Sequence, residues 1–210
     1  MNDQSWHQHV KNKNREDIIE SAKELFFKDG FFLQVSVKDV CSLAGISRVT
    51  FYKHFSSMDD LIFEVQMTVM NEMVQYIESK DRTELTGRER LGLLLHAWID
   101  YAQQYKRHMK FIIFFDLYYE ADEFNDELRQ RYESFIRQRK ENHFLKSVIV
   151  RGMEDGSIRE DADPNRTGML IFTMMMGLLQ RMSITQPHET DAFEDIAVSV
   201  VGMVMRSIEK

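Results

Sequence analysis

The segment Ser36 to Phe55, SVKDVCSLAGISRVTFYKHF, constrains the fold more than any other stretch, because it fits two short helices around a tight turn. Val37, Val40, Cys41 and Ala44 follow the i, i+3, i+4, i+7 spacing that gathers apolar side chains on one helical face, and Ser36 precedes them as an N-cap. Gly45 tolerates the left-handed backbone that ends a helix, Ile46 can plug the angle between the two helices, and Ser47 caps a second helix of about two turns. That helix presents Arg48, Val49, Thr50, Tyr52, Lys53 and His54, while Phe51 and Phe55 sit four residues apart and anchor it to a core. The polar set is rich in donors for phosphate oxygens and base edges. Arg48 and Thr50, with Val49 toward a thymine methyl, are expected on bases. Lys53, His54, Tyr52 and Ser36 are expected on phosphates, and Ser47 belongs to the same surface.

Residues Asn14 to about Val65 resemble the DNA-binding domain of TetR-type (tetracycline-repressor-like) transcriptional regulators. The resemblance rests on an opening helix, REDIIESAKELFFKDGF, and on the pattern A-G-I-S-x-x-T-F-Y-K-H-F that closes such domains. It implies a homodimer whose third helices enter successive major grooves of a palindromic DNA operator. It also implies an all-helical C-terminal domain that binds an inducer and dimerises. Two departures stand out. The link between Gly30 and Ser36 is one residue longer than usual, and Met58 stands where a lysine often follows F-x-x before an acidic residue. In relatives that lysine commonly reaches a phosphate, so either Lys53, His54 and Tyr52 are left with more of the backbone grip or DNA binding is weaker.

Beyond this segment the chain offers little to a sheet. Two prolines and nine glycines in 210 residues, with no run of alternating apolar and polar residues, indicate an all-α protein. The expected division is an N-terminal arm and three-helix helix-turn-helix domain over 1–57, then a larger helical ligand-binding and dimerisation domain over 58–210. The formal charge of −7 is uneven: residues 1–58 hold eight Lys or Arg against seven Asp or Glu, a balance of +1, so the rest carries −8. A near-neutral reading domain implies modest non-specific affinity, with specificity coming from a few contacts and from dimerisation. The one cysteine, Cys41, excludes an internal disulfide and fits a reducing cytoplasm; its spacing puts it on the buried face as a small hydrophobe. No secretory signal is visible, and the apolar stretch Met169 to Leu179 falls short of the ~20 residues that span a bilayer. A cytoplasmic protein without membrane contact is expected.

Residues 1–12 are polar and predict a loose arm or frayed helix, with Lys11, Lys13 and Arg15 near its end. Helices are then predicted over 14–29, over a stretch after Ser57 with an inward stripe from Leu61 to Ile77, over 91–105, and over Phe111 to Glu120, which is apolar around nearly its whole circumference and so expected to be central and buried. One long helix is predicted over 125–154. Asp163-Pro164 starts another that runs to Met182, and the last covers 191–208 with Phe193, Ile196, Ala197, Val200 and Val204 on one face.

The remaining chemistry is sparse. No H-x-x-E-H, H-E-x-x-H or C-x-x-C spacing supports a metal, and no G-x-S-x-G, P-loop or G-x-G-x-x-G supports catalysis, so no enzyme, metal or cofactor is expected. Asp116 shares a helical face with Met109, Ile112 and Ile113, where an unpaired carboxylate is costly. It is either the counter-charge for a cationic lipophile, in a pocket lined by Trp98, Tyr101, Tyr105, Phe114, Tyr118 and Tyr119 with Glu120 at its edge, or one half of an internal pair with a neighbouring Arg, Lys, Tyr or His, or part of a helical turn that reaches water. Met175 and its methionine neighbours suit either an adaptable pocket or ordinary core. Small residues Gly168, Gly177, Ala197 and Gly202 among apolar neighbours point to dimerisation through the last two helices. The function expected is a sequence-specific regulator, a repressor released by a small lipophilic inducer. The alternative is a DNA-bound regulator gated by a protein partner or acting in chromosome organisation.

Overall fold

A computed structural model describes residues 3–28, 32–119, 126–141, 144–184 and 190–210, and every regular element among them is helical. In chain order these are α1 (Asp3–Phe27), a single 3-10 turn (Phe32–Gln34), α2 (Val37–Ala44), α3 (Arg48–Tyr52), α4 (Met58–Glu78), α5 (Gly87–Gln104), α6 (Lys106–Tyr119), α7 (Asp126–Glu141), α8 (Phe144–Glu154), α9 (Pro164–Ile184) and α10 (Thr190–Ser207). The chain forms two compact units whose boundary does not follow sequence order: residues 1–69 with 114–129, and residues 70–113 with 130–210.

In the first unit α1 buries Ile18, Ile19, Ala22 and Phe26 and packs on α2, which in turn packs on α3. α1 begins at Asp3, so of the two forms expected for the polar N-terminal segment, a loose arm or a frayed helix, its described residues take the helical one. Polar composition hides a helix from a periodicity test, because nothing apolar marks its face. α3 is correspondingly shorter than expected: five residues, with Lys53 already its C-cap. Leu61, Ile62, Val65 and Val69 are buried on α4 as the stripe required.

The second unit is built around α5, which packs against α8, α9 and α10 and buries Leu91, Leu94, Leu95, Trp98, Tyr101 and Ala102. Its start is fixed closely. Asp155 Oδ2 accepts the Gly87 N–H at 2.8 Å, Ser157 Oγ accepts the Arg88 N–H at 3.1 Å, and Thr86 forms a capping box with Glu89.

Several expectations change. Within the span of the single helix expected over 125–154, the described residues form α7 and α8, and residues 142–143 lie outside the described set. α6 is not sealed all round: Phe111, Ile112 and Phe115 are buried but Leu117 is 61% exposed, since one packing face accounts for the rest. On α10 the inward positions are Ala197, Val201 and Val204, with Ile208 buried just after its end, and Ile196 faces out; Phe193 has no described side chain. Gly168 and Ala197 point inward, Gly168 against Leu145 and Ile149 of α8, so they serve the fold of one chain. By length and composition α9 is the one described helix able to cross a membrane, and a third of its most apolar window is buried.

Candidate nucleic-acid interface

The α2–α3 pair is set by local hydrogen bonds that its sequence encodes. Ser36 caps α2: its Oγ accepts the Asp39 N–H, and Asp39 Oδ2 accepts the Ser36 N–H at 2.9 Å and the Ser36 hydroxyl at 2.5 Å. The Ser36 hydroxyl and backbone together hold the Asp39 carboxyl below the usual carboxylate range. Gly45 takes φ 65°, ψ 30°, the left-handed conformation in which a side chain is strained, and the Ile46 N–H reaches back to Cys41 O at 3.0 Å. Ser47 then caps α3, its Oγ accepting the Thr50 N–H at 3.1 Å and lying 3.0 Å from Thr50 Oγ1.

This frame fixes which side chains face outward. Val49 is 69% exposed and Tyr52 57%, with Arg48 and Lys53 exposed beside them; Thr50 and His54 are half-buried. Phe51 and Phe55 are sealed underneath, and the Tyr52 ring meets Phe51 edge-on at 5.3 Å. An exposed valine and tyrosine next to two cations, on a helix held rigidly from below, form a surface suited to base edges and phosphates. Arg15 of α1 fastens the far end: its guanidinium lies 5.3 Å over the Phe55 ring and bonds Glu64 of α4. Burial pushes the Cys41 thiol up, as an inert core thiol requires.

The residues expected around an effector are distributed as follows. In the second unit Trp98, Tyr101 and Met175 are fully buried, while Tyr105 is partly exposed. Trp98 packs between Phe144 and Phe172 at 5.6 and 5.4 Å, and Tyr101 stacks on Tyr105 and shares a 2.8 Å hydrogen bond with His108 Nδ1. In the first unit Phe114, Asp116 and Tyr118 are half-buried, and Asp116 is not free, so its burial requires no ligand. The Tyr119 side chain and Glu120 lie outside the described residues. Gln66 is not a residue the sequence singles out, because the inward stripe on α4 is defined by apolar positions. It is wholly buried, and among the described residues neither amide atom has a hydrogen-bond partner; the Trp98 indole N–H is likewise buried without one among them. Each such group costs about 1–3 kcal/mol.

The outer faces of α9 and α10 are apolar and exposed, with Met169, Leu170 and Ile184 on one helix and Val198 and Met203 on the other; Leu170 and Val198 are 60% and 59% exposed.

Two family models match the chain: "Bacterial regulatory proteins, tetR family" over residues 18–65, and "Tetracyclin repressor-like, C-terminal domain" over residues 87–195. The HTH-type transcriptional regulator TtgR of Pseudomonas putida is 24% identical over 192 residues, covering 88% of this chain and 86% of the relative. The HTH-type transcriptional activator FasR of Mycolicibacterium smegmatis is 25% identical over 93 residues, 44% of this chain and 42% of its own length. Among solved structures, the transcriptional regulator FadR from Bacillus subtilis in complex with stearoyl-CoA superposes with a TM-score of 0.69 at 19% identity, covering 92% of this chain and 99% of that one.

Proposed function

The chain belongs to the TetR family of DNA-binding transcriptional regulators, and from that premise we propose that it is a cytoplasmic repressor, displaced from a palindromic operator by a small lipophilic molecule. The observation that carries the DNA-reading part is the exposed row Arg48, Val49, Tyr52 and Lys53 over the buried pair Phe51 and Phe55. In this reading Arg48, Val49 and Thr50 enter the major groove and meet base edges, while Lys53, His54 and Tyr52 hold phosphates. Ser36 and Ser47 bring the two helix starts to the DNA backbone.

Two chains join through the outward faces of α9 and α10. A palindrome then receives two α3 helices about 34–36 Å apart, one turn of duplex. Gly177, whose missing Cβ has nothing within 4 Å, lets the facing helix come close. The lipophilic effector is supported by the match to the C-terminal family domain, by the stearoyl-CoA in the Bacillus subtilis relative, and by the aromatic and thioether interior at Trp98, Phe144, Phe172 and Met175.

Selection from random duplexes tests the DNA reading, with a palindromic consensus as the expected outcome and no enrichment as the contrary one. Fluorescence anisotropy of the selected duplex, titrated with lipophiles that include stearoyl-CoA, tests release. A duplex that none of them displaces leaves a DNA-binding regulator and removes the inducer.

A further inference from the structure

We propose that Arg15 of α1 is a positioning residue for DNA reading: its guanidinium braces the row of rings on which α3 stands, and the selectivity of α3 between sequences depends on that brace rather than on a contact of Arg15 with DNA. This rests on reading α3 as the helix that meets base edges, and it adds a determinant of specificity that lies outside the helix-turn-helix pair.

A chain of side-chain contacts runs through the first unit from α1 to the outer face of α3. The Arg15 guanidinium lies 5.3 Å over the Phe55 ring, Phe55 lies 5.8 Å from Phe51, and Phe51 meets the Tyr52 ring edge-on at 5.3 Å. Phe51 and Phe55 are sealed while Tyr52 is exposed, so the last ring of the row stands on the surface that faces DNA. The backbone follows the same path. The His54 and Phe55 N–H groups donate to Phe51 O at 2.9 and 3.0 Å, so Phe55 is carried on the turn that leaves α3. α3 has only five residues, and the Ser47 cap fixes its start. Phe55, with Arg15 over it, fixes its end. A recognition surface keeps its geometry when the side chains beneath it are locked in place, and a guanidinium over a ring both packs against it and attracts it.

The other role open to a cation on α1 is a direct contact with a phosphate, and the geometry argues against it. Arg15 Nη2 donates to Glu64 Oε2 of α4 at 2.5 Å, and the two side chains are 42% and 16% exposed. The positive charge is therefore met within the protein, and a phosphate would have to displace a half-buried carboxylate to reach it. One edge of the guanidinium bonds α4 while its face covers Phe55, a combination that needs a planar fork. Lysine carries the same charge without that plane, so the two roles respond differently to Arg15→Lys.

The test uses the full-length wild type with Arg15→Gln, Arg15→Lys, Glu64→Gln and Arg48→Ala. Anisotropy is read on a duplex selected by the wild type and on a scrambled one, at several salt concentrations and well below the melting temperature of each variant. Arg15→Gln is expected to lose about ten-fold in the ratio of selected to scrambled affinity, roughly 1.4 kcal/mol, with the salt slope on the scrambled duplex unchanged. Arg15→Lys should lose the ratio as well, and it carries the test if Arg15→Gln does not fold. Glu64→Gln should lose part of it, because the guanidinium is then no longer held at its edge. A salt slope lowered by about 1 in Arg15→Gln, with equal losses on both duplexes and recovery in Arg15→Lys, makes Arg15 a phosphate contact and overturns the proposal. A lower melting temperature with the ratio unchanged overturns it too, since the residue then serves only the fold. Arg48→Ala separates this proposal from the reading it rests on. A ratio lowered by Arg48→Ala but kept by both Arg15 variants leaves α3 as the reading helix and removes the brace, whereas a ratio that none of the variants lowers removes both.

Discussion

The rings of Phe51 and Phe55 lie 5.8 Å apart with both side chains sealed from solvent, so the residues that share their helix and turn project from a fixed base. Arg48 and Lys53 are exposed on that base, so replacing either is expected to leave the fold intact. Arg48→Ala is expected to cost ~1–3 kcal/mol on the preferred duplex and to relax the consensus at one position. Lys53→Ala should instead weaken all duplexes alike and lower the slope of log K against log salt by about 1. Anisotropy titrations at several salt concentrations, on specific and scrambled duplexes, separate the two.

Ser47 is the next test. Its Oγ holds the Thr50 N–H at 3.1 Å, and α3 has only five residues, so the cap is a large part of what keeps the helix formed. Ser47→Ala should remove about 1 kcal/mol of stability and reduce duplex affinity, whereas Ser47→Asn, which also caps, should restore the stability. Chemical denaturation of both variants gives the comparison, and an equal loss in the two would contradict the capping role.

A Cβ on Gly87 would stand 2.1 Å from the Gly152 backbone nitrogen and 2.7 Å from Val148 O, where no flexible side chain can yield. Gly87→Ala therefore has to part α5 from α8, at a cost on the order of 3 kcal/mol. Gly92, on the same helix, faces only the Met205 thioether at 3.7 Å, so Gly92→Ala should be neutral or stabilising by up to about 1 kcal/mol. Melting temperatures of the two variants should move in opposite directions or differ by several degrees.

Acid sensitivity follows from Asp81, which accepts a two-pronged hydrogen bond from Arg90 at 2.9 and 2.6 Å. The Arg90 hydrogen bonds hold the Asp81 carboxyl below its ordinary 3.8. Because the folded value is depressed, the stabilisation is fully present above the unfolded value and is lost as pH falls through the folded one. Stability measured from pH 6 down to pH 3 should drop less steeply in Asp81→Asn than in the wild type, and identical slopes would remove Asp81 from the acid transition.

What the sequence makes legible here is what is encoded locally. The caps Ser36 and Ser47, the left-handed Gly45 and the buried pair Phe51 and Phe55 are each decided within a few residues, so spacing alone locates them. The start of α1 escapes that reading because residues 3–13 have no apolar stripe, although their backbone is helical. On α9 and α10 apolar residues occupy both faces, and periodicity does not say which one a single chain keeps for itself; Ile196 and Gly168 are placed on opposite sides from those their residue types suggest.

The central claim is that two copies of this chain place two α3 helices in successive major grooves. Sedimentation of the protein on its selected duplex, repeated with five base pairs inserted between the half-sites, tests it directly. Two chains per duplex are expected on the selected spacing, with affinity collapsing on the insertion because the second α3 is turned to the opposite side of the DNA, about half of a 10–10.5 base-pair turn away. One chain per duplex, or affinity indifferent to the insertion, would contradict the account.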